Sequence, residues 1–263
     1  MQRSETSALI ELALAAGEQI LAVYATDFQA SRKADNSPVT EADLRADAVI
    51  REGLARAFPG VTVFSEESLP ETVTAVETFF LVDPLDGTKE FLSRNGEFTV
   101  NIALVSGGRP LAGVVYAPAL GELFHGREGE GAWQRAPGGA DRELRTTRAS
   151  ANTPLRVIGS RSHGGDEMAH WLAQLRTPHT LVVAGSSLKF CRLAQGQADA
   201  YPRLGPTCQW DTAAGQAVLR AAGGIVLSAG GAELRYGTDR PWLNPHFLAL
   251  GDPSLQSGLP PAG

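Results

Sequence analysis

The chain has 263 residues, 43% hydrophobic and 20% charged, with a formal charge of −6 and a pI near 5.4. That profile fits a globular α/β protein of one large domain or two intimately packed halves, and the acidic balance argues against a protein that coats a nucleic-acid polymer. Two cysteines, Cys191 and Cys208, are too few for a disulfide scaffold and lie in no metal-binding spacing.

In chain order, the first 24 residues place Leu9, Leu12, Ala13, Ala16, Ile20, Val23 and Tyr24 on one helical face. No clean apolar core with a cleavage site follows, so the stretch predicts an amphipathic helix and not a signal peptide. No apolar run approaches the roughly 20 residues that span a bilayer, and a cytoplasmic protein without a transmembrane segment is expected. A second helix is predicted over 41–57, with Thr40 as N-cap and Pro59-Gly60 as its stop. Strands are predicted at 61–65 and 78–83. A meander of four more follows in FTVNIALVSG, PLAGVVYAP, GELFHGREG and GAWQRA. Residues 135–154 are polar and rich in Gly, Pro and Thr, which marks a linker between sub-parts of about 1–135 and 155–250. Beyond it, strands and helices alternate: LRVIGS, a helix at 166–176, TLVVAG, a helix at 186–195, ADAYP, a helix at 211–222, GGIVLS and FLALG. That alternation predicts a second α/β layer. The last residues, GDPSLQSGLPPAG, read as a loose end.

The chemistry centres on LVDPLDGTKEF, residues 81–91. An apolar strand delivers Asp83 at its C-terminal end, where α/β folds place ligands. Pro84 stiffens the turn, and the three-residue step to Asp86 lets both carboxylates aim at one point, with the Leu85 carbonyl between them. Gly87 allows a phosphate close to the backbone, and Thr88 and the residues after it are placed to open a helix whose free N–H groups suit an anion. Three more acidic segments are placed to join: Glu66-Glu67 in VFSEES, Asp43 in SPVTEAD and Asp211 in QWDTAAGQA. Each has an ordinary alternative, a helix cap or dipole partner for Asp43 and Asp211 and a solvated pair for Glu66-Glu67. Two carboxylates about 4 Å apart repel by about 4 kcal/mol at an effective dielectric of 20. Convergence of three or four would exceed a domain's margin of about 5–15 kcal/mol unless cations neutralised them. All-oxygen ligands without His or Cys favour Mg²⁺, and two such ions about 3.5–4 Å apart suit phosphoryl hydrolysis.

These segments carry a resemblance. VFSEES, VDPLDGT and WDTAAGQAVLRAAGG are similar, in order, to the three signature segments of the inositol monophosphatase superfamily of Mg²⁺-dependent, lithium-sensitive phosphatases. DGTKEF, NGEFTVNIAL, GVVYAPALGELF and GSSLKFC resemble its bacterial 3′(2′),5′-bisphosphate nucleotidase branch, over roughly residues 5–250. The resemblance implies an α-β-α-β-α layered sandwich and hydrolysis of adenosine 3′,5′-bisphosphate to AMP and phosphate, a clearing step in sulfur metabolism. It also implies two or three Mg²⁺ ions. Glu66, Asp83 and the Leu85 carbonyl would hold the first, and Asp83, Asp86 and Asp211 the second. Gly87 and Thr88 would cradle the phosphate, while Thr88, backed by Asp43, would activate water with Glu66 nearby. Dimers are common among such phosphatases, so a homodimer is an expectation of the resemblance.

For the second phosphate, Arg203 stands where inositol-specific relatives carry an acid. Lys189, Arg192 and Arg161 are further cations, and Ser187 lies in the same GSSLK segment. Cys208-Gln209 departs from the branch beside Asp211. Three alternatives stay open: action on inositol phosphates or fructose 1,6-bisphosphate, a non-catalytic nucleotide or metal sensor, and the haloacid dehalogenase class. The last has one residue, not two, between its aspartates and places them on its first strand.

Overall fold

A computed structural model of the chain describes residues 2–32, 38–70, 72–135, 140–150, 152–160 and 165–262. In chain order its elements are α1 (Gln2–Tyr24), β1 (Ser31–Arg32), β2 (Pro38–Val39), α2 (Glu41–Ala57), β3 (Thr62–Ser65), β4 (Thr78–Asp86), α3 (Thr88–Leu92) and β5 (Thr99–Ser106). Then come β6 (Arg109–Ala117), β7 (Glu122–Arg127), β8 (Gly131–Arg135), β9 (Asp141–Leu144), β10 (Leu155–Ser160), α4 (Asp166–Ala173) and β11 (His179–Ala184). The last are α5 (Leu188–Ala194), β12 (Ala200–Arg203), α6 (Gln209–Ala221), β13 (Ile225–Ser228), β14 (Phe247–Leu250) and a 3-10 turn, Pro253–Gly258.

Alternation along the strands determines how the layers stack. In β4, Phe80 and Val82 point to one face and Phe79 and Leu81 to the other. The first pair packs with Leu9, Ala13, Ala16 and Ile20 of α1 and Ala46 and Ile50 of α2. The second pair meets Phe190 of α5 and Ala213, Ala214 and Val218 of α6, which also touch Ile158, Tyr201 and Phe247 of the second sheet. A third cluster covers the far side of that sheet with Trp171 of α4. The order is therefore helices, a seven-stranded sheet, helices, a five-stranded sheet and a helix: the expected α-β-α-β-α sandwich. The large sheet runs β3-β4-β5-β6-β7-β8-β9, antiparallel except for β3 beside β4. The smaller runs β11-β10-β12-β14-β13 and mixes both senses.

Several expectations are corrected. The stretch expected to be a linker contributes β9, which pairs with β8 as the edge of the large sheet. DREL escapes notice because only Leu144 of it is buried. The tail is docked: Ala262 is buried, and the Trp171 indole N–H donates to the carbonyls of Pro260 and Pro261 at 3.2 Å. Over Glu5–Tyr24, α1 has the length and mean hydropathy of a bilayer-spanning helix, because alanines and leucines outweigh its scattered acids. In the fold that apolar face packs on α2 and on the large sheet.

Candidate active site

Asp83 lies on β4 as expected, but the strand runs on to Asp86, which the sequence placed in a turn beyond it. Asp83 pairs with Asn101 of β5 and Asp86 with Thr99, so three steps on one strand oppose two on the other. Pro84, with no N–H to offer the ladder, sits in the resulting bulge. The bulge aims both carboxylates into a cleft of about 570 Å³ between the sheets, also lined by Glu66, Leu85, Gly87, Thr88, Lys189, Tyr201, Arg203 and Asp211. Asp83 is held by the Leu85 N–H, which donates to its Oδ1 at 3.1 Å. Asp86 Oδ2 accepts from Asn101 Nδ2 at 3.2 Å and Thr99 Oγ1 at 3.3 Å.

Glu66 follows β3, where its N–H bonds the Val82 carbonyl at 3.1 Å and ties the turn to β4. The residue before it, Ser65, donates to buried Asp47 of α2 at 2.6 Å. Asp211 is the third residue of α6, and its Oδ2 accepts the Cys208 N–H at 2.8 Å. From these three elements, one carboxylate oxygen each of Glu66, Asp83 and Asp211 falls within 4.8 Å of the others.

The electrostatic consequence is a surplus of negative charge out of water. Burial, then Glu66, Asp86, Asp211 and Glu67, pushes the Asp83 carboxyl well above the usual range. Burial raises Asp86 too, against the pull of Lys189 and of hydrogen bonds from Asn101 and Ser187. Asp211 is pushed up to about 8 by burial and then Asp86. Groups that resist ionisation together, yet offer only hard oxygens at one point, fit a divalent cation. Glu66, Asp83, Asp86 and Asp211 are the side chains that would hold it.

A loop ahead of α5 braces this cluster. Ser186 adopts φ 45°, uncommon for a residue with a side chain, and its hydroxyl donates to the Asp86 carbonyl at 2.9 Å. Ser187 donates to the Asp211 carbonyl at 2.6 Å and accepts from Asn101 Nδ2 at 3.0 Å. Gly87 has φ 90°, and a Cβ there would overlap the Ser186 hydroxyl, so glycine is required on both counts.

The sequence-predicted residues divide accordingly. Glu66, Asp83, Leu85, Asp86, Gly87, Thr88, Lys189, Arg203 and Asp211 line one cleft. Ser187, expected at the substrate, is 1% exposed and serves as a brace behind the carboxylates. Arg192 points elsewhere and pairs with Glu122 of β7 at 2.8 Å. Arg161 lies outside the described residues. Asp43 caps α2, its Oδ2 accepting both the N–H and the hydroxyl of Thr40 at 2.7 and 2.6 Å. Among the described residues no hydrogen bond joins it to Thr88. Arg203 spends Nε and Nη2 on the carbonyls of Gly205 and Pro206. Asn101, Thr99, Ser186 and Tyr201 escaped sequence reasoning. NGEFTVNIAL carried Asn101 and Thr99 in plain view, but only strand pairing puts them beside Asp86.

Known proteins share this fold and much of this sequence. The inositol monophosphatase family model matches residues 1–255. The 3′(2′),5′-bisphosphate nucleotidase CysQ of Salmonella typhimurium is 48% identical over 241 residues, spanning 90% of this chain and 96% of that protein. Among solved structures, CysQ from Bacteroides thetaiotaomicron matches with a TM-score of 0.79 at 40% identity, covering 94% of this chain and 97% of that one. The extragenic suppressor protein suhB from Bartonella henselae matches at 0.80 with 27% identity, covering 97% and 96%. With its three acidic segments gathered into one cleft of a five-layered sandwich, the chain belongs to the inositol monophosphatase family.

Proposed function

We propose that this protein is a Mg²⁺-dependent phosphomonoesterase that hydrolyses adenosine 3′,5′-bisphosphate to AMP and phosphate, with the whole chain acting as one phosphatase domain. The reading rests above all on the meeting of Glu66, Asp83 and Asp211 oxygens within 4.8 Å in a cleft that also holds Arg203. The substrate follows from the CysQ relatives, which are named for 3′(2′),5′-bisphosphate nucleotidase activity and match nearly end to end.

Glu66, Asp83 and the Leu85 carbonyl would hold one Mg²⁺, and Asp83, Asp86 and Asp211 a second. Bound there, the ions would supply Lewis-acid polarisation of the phosphoryl group and relieve the carboxylates' repulsion. The chain does the rest. Backbone amides at Gly87 and Thr88, where α3 begins, would hold the phosphate. The Thr88 hydroxyl would orient the attacking water and help deprotonate it, backed by Asp43, which Thr40 anchors at the start of α2. Arg203, its fork already fixed by two carbonyls, would pair with the second phosphate.

Phosphate release from adenosine 3′,5′-bisphosphate, phosphoadenosine phosphosulfate, inositol 1-phosphate and fructose 1,6-bisphosphate, with and without Mg²⁺ and Li⁺, tests the reading. Adenosine 3′,5′-bisphosphate is expected to have the highest kcat/KM, with turnover abolished by chelation and suppressed by Li⁺. Arg203→Ala is expected to raise its KM at least about tenfold. Preference for inositol 1-phosphate, or chelator-insensitive turnover, would sink the proposal.

A further inference from the structure

Between β13 and β14, residues 236–244 run across the start of α6 and hold two successive peptide groups there. The Asn244 N–H donates to the Thr207 carbonyl at 2.8 Å. The N–H of that same peptide, on Cys208, donates to Asp211 Oδ2 at 2.8 Å. One peptide further on, Asn244 Nδ2 donates to the Cys208 carbonyl at 2.6 Å, and the Gln209 N–H donates to the Trp242 carbonyl at 2.8 Å. A peptide unit is planar, so a bond at each end fixes its orientation. The N–H that grips the Asp211 carboxylate is thus aimed from Asn244.

Asn244 is itself held. Its side chain is buried, and Nδ2 also donates to the Thr212 hydroxyl at 3.0 Å, one residue past Asp211. Gln209, 1% exposed, ties down the approach to it. The Gln209 Oε1 accepts the Gly237 N–H at 2.9 Å, and Nε2 donates to the carbonyls of Gly237 and Pro241 at 3.0 and 2.9 Å. The glutamine that departs from the branch in sequence is therefore the anchor of this strap. Between the two amides, the Trp242 ring lies against Trp210 and Phe64, with centroids 5.6 and 5.3 Å apart. Trp210 precedes Asp211, and Phe64 lies two residues before Glu66. The strap thus touches both the helix that carries Asp211 and the strand that leads to Glu66.

We propose that Asn244 is a positioning residue: by fixing the peptide groups on either side of Cys208 it directs the Asp211 carboxylate toward Asp83 and Glu66, and so sets the protein's affinity for divalent cations. This role rests on the phosphatase reading above, and it adds to that reading a residue behind the cleft on which the cation site depends. Partners that orient metal ligands change affinity by roughly 10–100-fold when removed.

Mg²⁺ uptake by calorimetry and Mn²⁺ uptake by paramagnetic resonance are measured on metal-free wild type, Asn244→Ala, Gln209→Met and Trp171→Phe, at a temperature where each is folded. Urea titrations in chelator and steady-state kinetics on adenosine 3′,5′-bisphosphate at saturating Mg²⁺ accompany them. Asn244→Ala is expected to weaken cation binding at least about tenfold, while KM for the nucleotide changes less than about threefold. Gln209→Met is expected to weaken it in the same sense but less, because it acts through the strap. Trp171→Phe loosens the docked tail on the far side of the second sheet. It should lower stability yet leave cation affinity within about twofold of wild type. Wild-type cation affinity in folded Asn244→Ala would make the residue a core amide only and overturn the proposal. An equal loss of affinity in Trp171→Phe would overturn it also, because general loosening would then be the cause. If Asn244→Ala does not fold, Gln209→Met decides: wild-type cation affinity in that variant overturns the proposal. Wild-type protein that takes up neither ion overturns the phosphatase reading, and this proposal with it. Normal wild-type uptake beside unaltered strap variants overturns the proposal alone.

Discussion

Asp43 and Asp211 occupy the same place in two different helices: each is the third residue, and each accepts the backbone N–H of its cap residue, Thr40 at 2.7 Å and Cys208 at 2.8 Å. The capping and functional readings of these acids are therefore compatible. An aspartate at this position fastens one oxygen to its own helix start and is held still by it. In α6 the held carboxylate is the one that meets Glu66 and Asp83.

Asn and Ala at position 211 should consequently behave differently. Asp211→Asn keeps an oxygen for the Cys208 N–H and removes a charge that the site resists. Its metal-free form should melt at or above the wild-type temperature, with turnover reduced by at least about 10²-fold. Asp211→Ala also loses the cap and should be about 1 kcal/mol less stable than the Asn variant. Differential scanning fluorimetry in chelator, beside phosphate-release assays, checks both. An Asn variant with wild-type turnover would remove Asp211 from the site.

Metal-free stability should fall as pH rises. Asp211 has an ordinary carboxyl pKa when unfolded and one of about 8 when folded, so across that window the folded state holds a proton that the unfolded state has released. Stability contributed by the protonated form is complete below about pH 4 and is lost progressively up to about pH 8; Asp83, also raised, acts in the same sense. Because Asp211 is partly open to the cleft, the change is on the order of 1–3 kcal/mol between pH 5 and 8. Urea titrations in chelator at the two pH values measure it, and Asp211→Asn should flatten the trend. A metal-free protein more stable at pH 8 than at pH 5 would contradict the assigned shifts.

The turn bearing Glu66 depends on a contact the sequence does not advertise. Ser65 is fully buried and donates to Asp47 Oδ1 at 2.6 Å, while Ser68 reaches the same oxygen at 3.3 Å. Ser65→Ala leaves a buried carboxylate short of its best donor and should cost about 1–3 kcal/mol in chemical denaturation. Cation binding should weaken with it, since the strand end that aims Glu66 is freed from α2. Unchanged stability would show the contact to be dispensable.

What the sequence revealed, and what it hid, follows from the range of the interactions. The strands from Phe79 to Gln134 were legible because apolar runs and alternation are local and Gly or Pro breaks them. The cleft acids were legible as residue types at strand and helix ends. Asn101 beside Asp86, and Ser187 beside Asp211, join segments 15 and 24 residues apart, and no periodicity reports such pairs. β9 was hidden because an edge strand with one buried side chain looks like a linker. The tail was hidden because its partner, Trp171, lies about ninety residues upstream.

The placement of α6 yields the last prediction. Gly113 of β6 and Gly126 of β7 are paired across the sheet. A Cβ on Gly113 would stand 2.6 Å from the Ala214 carbonyl oxygen, and one on Gly126 would stand 2.8 Å from the Val218 Cα. The two glycines thus form a trough in which α6 lies directly on the sheet. Backbone cannot yield as a flexible side chain can, so either Gly→Ala change must lift the helix and should cost at least about 1–3 kcal/mol. The consequences for the site should differ. Gly113 meets the helix one turn from Asp211, and its alanine variant should weaken Mg²⁺ binding by moving that carboxylate away from Asp83 and Glu66. Gly126 meets it two turns along, and its alanine variant should lose similar stability with less effect on Mg²⁺. Thermal denaturation and calorimetric Mg²⁺ titration of the two variants, compared at a temperature where both are folded, separate the effects. Equal loss of Mg²⁺ affinity in both would mean that α6 moves as a rigid rod, and that its seat near the N-terminus has no special role in aiming Asp211.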